Sequence, residues 1–287
     1  MTDFPSASAT FKSISEKDFK RLGELIYSQC GIQMKESKKT MLQARLQKRM
    51  RKLGVESFEK YCDYLFGSEG MRDELIHLID VVTTNKTDFF REPKHFEYLT
   101  KNAIPDLIST QKSVRKSVSI WSAGCSTGQE PYTLSMVLND FAEKLQGFTY
   151  SILATDISTQ VLEKAKLAIY DSEVVDPVPL EFKRKYLLRS KDKNRDLVRV
   201  VSELRDNISF RRLNFMDDDF GLREPIDIIF CRNVIIYFDR PTQEKLFNRF
   251  CRYLSIGGYI FVGHSETLHS LNVPLTMVAP TIYRRNK

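Results

Sequence analysis

The hydrophobic pattern of this 287-residue chain changes period once, near Val118, and a chain patterned in this way cannot fold as a single uniform layer. Upstream, apolar residues recur at helical spacing. Phe19, Leu22 and Ile26 follow a Ser15 N-cap and stop at Gly31; Leu42, Leu46, Met50 and Leu53 stop at Gly54; Ser57 precedes Phe58, Tyr61 and Leu65; and a fourth segment carries Leu75, Leu78, Ile79 and Val82. Downstream, the strand-like runs SVSIW, FTYSILATD, IDIIFCRN and GGYIFVGHSE alternate with helical stretches, the signature of a parallel sheet covered on both faces. The expected architecture is a small all-helical module over residues 1–88 and an α/β domain over 89–287. A long charged stretch at about 180–206, ending in LVRVV, predicts a small β insertion between the second and third core strands. The basic segment STQKSVRKS reads as a loop into the first strand.

With 42% hydrophobic residues the chain can bury one full core and a second small one, so two folded units are expected. No run approaches the about 20 apolar residues of a membrane span, and MTDFPSASATFKS lacks the apolar core of a secretory signal. A cytoplasmic protein without membrane insertion is expected. Five cysteines with no CxxC pair, among them Cys125, Cys231 and Cys251 in apolar contexts, read as reduced thiols, and no metal site is expected. The net charge of +7 invites a polyanionic partner, which an acidic protein surface satisfies as well as a nucleic acid.

The first strand runs into SAGCSTGQEPYTLSMVL, where Gly124 and Gly128 bracket a turn and a helix starts near Pro131. Such a turn lets backbone approach a ligand, although an ordinary strand-to-helix turn in another nucleotide fold has the same glycines. Glu130 at the helix start would repel a pyrophosphate and suits a cation or a hydroxyl. Asp156, ending the second strand, can accept both hydroxyls of a ribose, or can cap the helix after Ser158. Together they favour S-adenosylmethionine, which has an ammonium, a sulfonium and ribose hydroxyls but no phosphate.

TTNKTDFFREP, AGCSTGQEPY, ATDIS, FCRNVIIYF and GGYIFVGHSE, in this order behind a helical module, resemble the signature blocks of CheR-type chemotaxis receptor methyltransferases, over about Ser15 to Tyr283. The resemblance implies a Rossmann-like S-adenosylmethionine methyltransferase sheet and methyl esterification of glutamate side chains on the cytoplasmic methylation helices of chemotaxis receptors. It implies that Asn85, Thr87 and Arg91 lie at the hinge between the domains and close over the methionine part of the ligand, with Glu130 at its polar end and Asp156 at the ribose. Asn214 and Phe215 match the pair flanking the adenine, and Arg232 and Asn233 the pair after the fourth strand. Tyr237 and Arg91 match the positions bordering the methyl group and the incoming glutamate.

A glutamate carboxylate is already ionised at neutral pH, so methyl transfer to it needs alignment and desolvation and no general base. The four histidines, His77, His95, His264 and His269, show no catalytic spacing to Cys, Ser or Asp. On the second helix Lys38, Arg45, Lys48, Arg49 and Lys52 form a basic stripe, a solvated face by default; the resemblance makes it the surface that meets the acidic receptor helices. The insertion segment RSKDKNRDLVRV lacks the glycines of relatives that hold a receptor tail peptide. A catalytically weak S-adenosylmethionine-binding adaptor is the competing reading. CRNVIIYF supplies neither an (N/D)PPY-like base-amine site nor a catalytic cysteine with a proline partner, as nucleic-acid methylation would lead one to expect. A monomer is expected.

Overall fold

The computed structural model describes residues 12–110, 116–192 and 194–286. Met1 to Phe11 of the N-terminal segment, residues 111–115 of the basic loop and Lys193 of the insertion lie outside the described residues. The chain forms two compact units, Met1–Thr84 and Asn85–Lys287.

The first unit contains α1 (Glu16–Cys30), α2 (Lys39–Leu53), α3 (Phe58–Phe66), α4 (Ser68–Asp73) and α5 (Leu75–Val82). Its helix ends follow local chemistry. The Ser15 and Ser57 hydroxyls accept the N–H groups of Asp18 and Lys60, and Gly31 and Gly54 close α1 and α2 in the left-handed conformation. Phe19, Leu22 and Ile26 of α1, Leu42, Leu46 and Met50 of α2, Tyr61 and Leu65 of α3 and Leu78 of α5 are buried, so the helical stripes form one core.

In the second unit, α6 (Lys94–Tyr98), a π-helical turn (Leu99–Ala103) and α7 (Ile104–Thr110) precede the sheet. There follow β1 (Lys116–Ala123), α8 (Gln129–Lys144), β2 (Phe148–Asp156), α9 (Thr159–Leu167), β3 (Ile169–Asp171), α10 (Leu180–Tyr186), β4 (Leu187–Arg189), β5 (Leu197–Val200), α11 (Ser202–Arg205) and β6 (Ile208–Arg212). The chain closes with β7 (Ile226–Cys231), α12 (Arg240–Tyr253), β8 (Leu254–Val262), β9 (Leu275–Ala279) and β10 (Ile282–Arg285). The seven-stranded sheet has the order β6-β2-β1-β7-β8-β10-β9, parallel from β6 to β8 and antiparallel beyond. Strand order reverses about β1, which opens a crevice at the carboxyl ends of β1 and β7. Val118, Ile120, Ile228, Phe230, Tyr259 and Phe261 bury in one core, and their sequence alternates Trp121, Ala123, Ile229, Cys231, Ile260 and Val262 in the other. This two-residue alternation, apolar on both faces, is what a central parallel sheet requires.

The charged insertion forms a three-stranded antiparallel sheet ordered β3-β5-β4. Ile169 to Asp171, upstream of the expected boundary, supply one edge of it, because Tyr170 pairs with Val198. Cys30, Cys62, Cys125, Cys231 and Cys251 are all buried and free.

The basic stripe of α2 is divided by the fold. Arg49 makes a forked contact with Glu74, Nε to Oε1 at 3.0 Å and Nη2 to Oε2 at 2.6 Å, while the Tyr61 hydroxyl donates to Oε1 at 3.0 Å. Glu74 is 1% exposed. Arg45 donates to the carbonyls of Val81, Val82 and Thr83 at the end of α5, and takes up orphan acceptors of that helix. Lys48 and Lys52 are exposed, whereas Lys38 is half-buried and reaches the Gln33 carbonyl at 3.4 Å. Arg49→Ala strands a buried carboxylate and should cost the helical unit about 3 kcal/mol, against about 0.5 kcal/mol or less for Lys48→Ala. Urea unfolding with hydrogen exchange read on α2 and α5 checks this, and equal losses for the two variants would refute it.

Candidate functional site

The site is assembled from the turns that leave the parallel strands at their carboxyl ends. After β1, Gly124 adopts φ +88°, and a Cβ there would lie 2.6 Å from Val234 Cγ2, so a bare backbone is needed where this turn passes the one after β7. The N–H groups of Gly124 and Cys125 donate to the Thr155 carbonyl at 2.8 and 2.9 Å. Ser126, also left-handed at φ +50°, donates its N–H to Asp156 Oδ2 at 2.9 Å, and Asp156 Oδ1 accepts the Ser158 N–H at 3.0 Å. The side chain that caps α9 is Ser158, whose Oγ accepts from Val161. Asp156 is left as a 9%-exposed carboxylate fixed at the tip of β2.

Glu130, in the first turn of α8, does face a hydroxyl and a cation, and both come from the protein: Ser122 Oγ donates at 2.7 Å and Arg232 Nε at 2.7 Å. Arg232 is 7% exposed and makes further contacts through Nη1, to the Arg91 carbonyl at 2.7 Å, to Glu92 Oε2 at 3.3 Å and to His95 Nδ1 at 3.2 Å. Its guanidinium carbon lies 5.2 Å from the Phe96 ring centroid and 5.6 Å from that of Phe230. One buried guanidinium thus joins β7, α8, the Arg91–Glu92 segment and α6. Two carboxylates, Glu92 and Glu130, meet it, and Asp156 stands at the tip of β2 held by backbone N–H groups, so carboxylates outnumber the guanidinium in this group.

Residues 17–83 match the family described as the CheR methyltransferase all-alpha domain, and residues 85–283 match the CheR methyltransferase SAM binding domain. The chain belongs to the CheR methyltransferase family. It is 39% identical over 278 residues to the "Chemotaxis protein methyltransferase" of Borreliella burgdorferi, covering 96% of both chains. It is 38% identical to that of Klebsiella aerogenes, covering 96% of this chain and 91% of the relative, and 36% identical to that of Escherichia coli, covering 96% and 93%. The cofactor of this CheR methyltransferase is S-adenosylmethionine, and the crevice suits it: a fixed acceptor carboxylate at a strand tip, no lysine in the turn before α8, and net negative charge around a cationic donor.

Contacts link several of the residues singled out in the CheR motifs. Asn85 is tied to the turn after β1 through its carbonyl, which accepts from Ser126 Oγ at 2.8 Å. Arg91 contributes its carbonyl to Arg232, and its own Nη1 reaches the Lys86 carbonyl at 3.4 Å; the carboxylate of Glu92 goes to Arg232 and not to Arg91. Thr87 is half-buried in the same segment. Asn214 Oδ1 accepts the Met216 N–H at 3.0 Å, and Phe215 packs edge-on to Phe250 in the core beneath. Asn233, at φ +59°, opens the turn that carries Tyr237. Thr133, Glu92, His95 and Glu266 were not legible as site residues, because each acts on backbone or on a partner remote in sequence. Thr133 Oγ1, for example, accepts the Phe90 N–H at 3.1 Å across 43 positions. The GHSE block marks Glu266 only by its place beside the site.

His95 has the outline of a catalytic base, with Thr281 Oγ1 2.8 Å from Nε2 and Glu92 3.4 Å from Nδ1. Its tautomer forbids that role. Arg232 can only donate, so Nδ1 is the acceptor and Nε2–H donates to Thr281, whose hydroxyl passes on to the Pro280 carbonyl at 2.7 Å. Glu92, His95 and His264 also lie close enough to suggest a metal, but an ion there would have to displace the guanidinium from Nδ1. Burial pushes the Glu92 carboxyl up, and the His264 N–H and Arg232 outweigh it, so the net shift is down. The Cys125 thiol, deep beneath the turn, is pushed well up by burial and by Asp156 and Glu130, so it is no nucleophile.

Burial and Arg232 hold the His95 imidazole down at about 4, against 6.5 in the open chain. A depressed histidine contributes stability in full above pH 6.5 and loses it as the pH falls toward 4, because the unfolded chain takes up a proton that the native site refuses. The unfolding free-energy difference between the wild type and His95→Gln should therefore shrink by about 3 kcal/mol between pH 7 and pH 4. Denaturant titrations across that range measure it, and a difference independent of pH would contradict the locked neutral ring.

Proposed function

We propose that the chain transfers methyl groups from S-adenosylmethionine to glutamate side chains of bacterial chemotaxis receptors. The reading is supported by the relatives named chemotaxis protein methyltransferases and by the crevice itself, above all by the excess of carboxylates around Arg232. Such a field favours a ligand carrying a sulfonium and an ammonium over one carrying phosphates. In this reading Asp156 holds the ribose, since each oxygen can accept a bond beyond the one given to backbone. Glu130 faces the amino end, Asn85, Thr87 and Arg91 border the methionine part, Asn214 and Phe215 the adenine, and Arg232 and Asn233 shape the turn beside it.

The bound cofactor supplies an electrophilic methyl on sulfur. A glutamate is ionised at neutral pH, so what the protein adds is alignment and exclusion of water. The locked His95 and the protonated Cys125 fit a site that has no general base. Tyr237 and Arg91 orient the incoming carboxylate. Recognition of an acidic receptor helix falls to the exposed Lys48 and Lys52 of α2, with Arg51 exposed beside them.

Incubation with labelled S-adenosylmethionine and the cytoplasmic fragment of a chemotaxis receptor from the same organism should give base-labile label on glutamate. Peptide mass spectrometry locates it, and label confined to other residue types would overturn the reading.

Two sets of substitutions should separate cofactor from substrate recognition. Asp156→Ala should weaken S-adenosylhomocysteine binding by about 10- to 150-fold. Lys48→Glu with Lys52→Glu should leave that binding unchanged and slow receptor methylation, most at low ionic strength, where the charges are least screened. Calorimetry and initial rates at several salt concentrations read both effects. A loss of methylation indifferent to salt would remove the lysines from docking.

A further inference from the structure

We infer that Glu266 is the positioning residue of the turn from Asn233 to Tyr237, and thereby sets the place of Tyr237 in methyl transfer. The inference rests on the reading of Tyr237 given above. Glu266 lies four positions beyond the end of β8 and is only 4% exposed. Its Oε2 accepts the N–H groups of Gly263 and Asn233, both at 2.7 Å, and Oε1 accepts that of Ile236 at 3.3 Å. Among the described residues no cationic side chain forms an ion pair with it. Backbone N–H groups alone hold this buried charge, as in anion-binding nests. Burial pushes its carboxyl up, and those N–H groups oppose the shift.

The tethered turn is one that would not hold itself. Asn233 has φ +59°, a left-handed conformation that a side-chain-bearing residue adopts only at a cost in strain. The residues after it form a single 3-10 turn, Ile235–Tyr237, closed by two bonds, a long one from the Tyr237 N–H to the Val234 carbonyl at 3.3 Å and one from the Phe238 N–H to the Ile235 carbonyl at 3.0 Å. Gln243 of α12 holds the carbonyls of Ile235 and Phe238, and Glu266 holds the donors. The fit is tight at Gly263, where a Cβ would come 2.4 Å from Asn233 Nδ2 and 2.9 Å from the Asn233 nitrogen.

Glu266→Gln retains one acceptor oxygen and turns the other into a donor. With the oxygen kept toward Gly263 and Asn233, the amide NH2 faces the Ile236 N–H, and the Tyr237 end of the turn is pushed off. Turnover on the receptor fragment should fall by at least about tenfold, while S-adenosylhomocysteine affinity stays within about threefold, the split expected of an interaction expressed in the transition state. The decisive readout is the cycle with Tyr237→Phe. If Glu266 acts through Tyr237, then in the Tyr237→Phe background Glu266→Gln should cost no more than about threefold further. A merely structural loss would instead multiply. Should Glu266→Gln fail to fold, Gly263→Ala presses both on Asn233 and on Glu266 Oε2, which a Cβ would approach to 2.9 Å, and should show the same coupling. Multiplicative losses, or full turnover in the variant tested, overturn the inference while Tyr237 keeps its role. Full turnover in Tyr237→Phe itself overturns the reading of Tyr237, and the inference with it.

Discussion

The crevice depends on a single buried guanidinium. Arg232 is the residue at which β7 leaves the sheet, and its four polar partners come from α8, the Arg91–Glu92 segment and α6. Burying a cation is costly unless its donors are satisfied, and here carboxylates, a carbonyl and an imidazole meet Nε and Nη1. Removing any one partner would leave part of a charge unpaired in a dry place, so the elements around the crevice are bound to one another's geometry. The same contact fixes the tautomer of His95 and draws Glu92 away from Arg91, leaving the Arg91 guanidinium half-buried at the edge of the segment.

What was legible in the sequence was legible because it is local. Ser15, Ser57, Gly31 and Gly54 end helices by chemistry within one turn, and alternation in IDIIF and GYIFV requires nothing beyond the strand. The placement of Asp156 at a strand tip and of Glu130 at a helix start could be read in the same way. The basic stripe shows where such reading stops. A helical wheel puts Arg45 and Arg49 opposite the apolar residues, but an arginine stem is long enough to turn back, and the groups it finds lie 25 to 38 positions downstream. The insertion is a similar case, since its first strand is recruited from before the charged run by pairing with β5.

The site network was illegible for the same reason at greater range. Arg232 meets its partners across 102 to 141 positions, and nothing in FCRN distinguishes a clasp from a ligand contact. A motif records which residues are needed near a crevice and is silent on which of them face the ligand and which face one another. Asp156 and Glu130 hold groups of the protein, and in the proposed reading they face the ligand as well.

That double duty explains a concentration of strain. Phe90, Glu92, Ser126 and Asn233 are four of the seven non-glycine residues with positive φ among the described residues, and all four lie in the segments around the crevice. Each is tethered: Phe90 by Thr133, Glu92 by Arg232 and the His264 N–H, Ser126 by Asp156, and Asn233 by Glu266. Conformations costing on the order of 1 kcal/mol each persist only where surrounding bonds over-determine them. Three of the four tethers use a carboxylate, and a carboxylate is also what a cationic donor attracts. The negative charge that suits the cofactor is therefore the charge that holds the turns in place before it arrives, and the ordering of those turns is already met by folding.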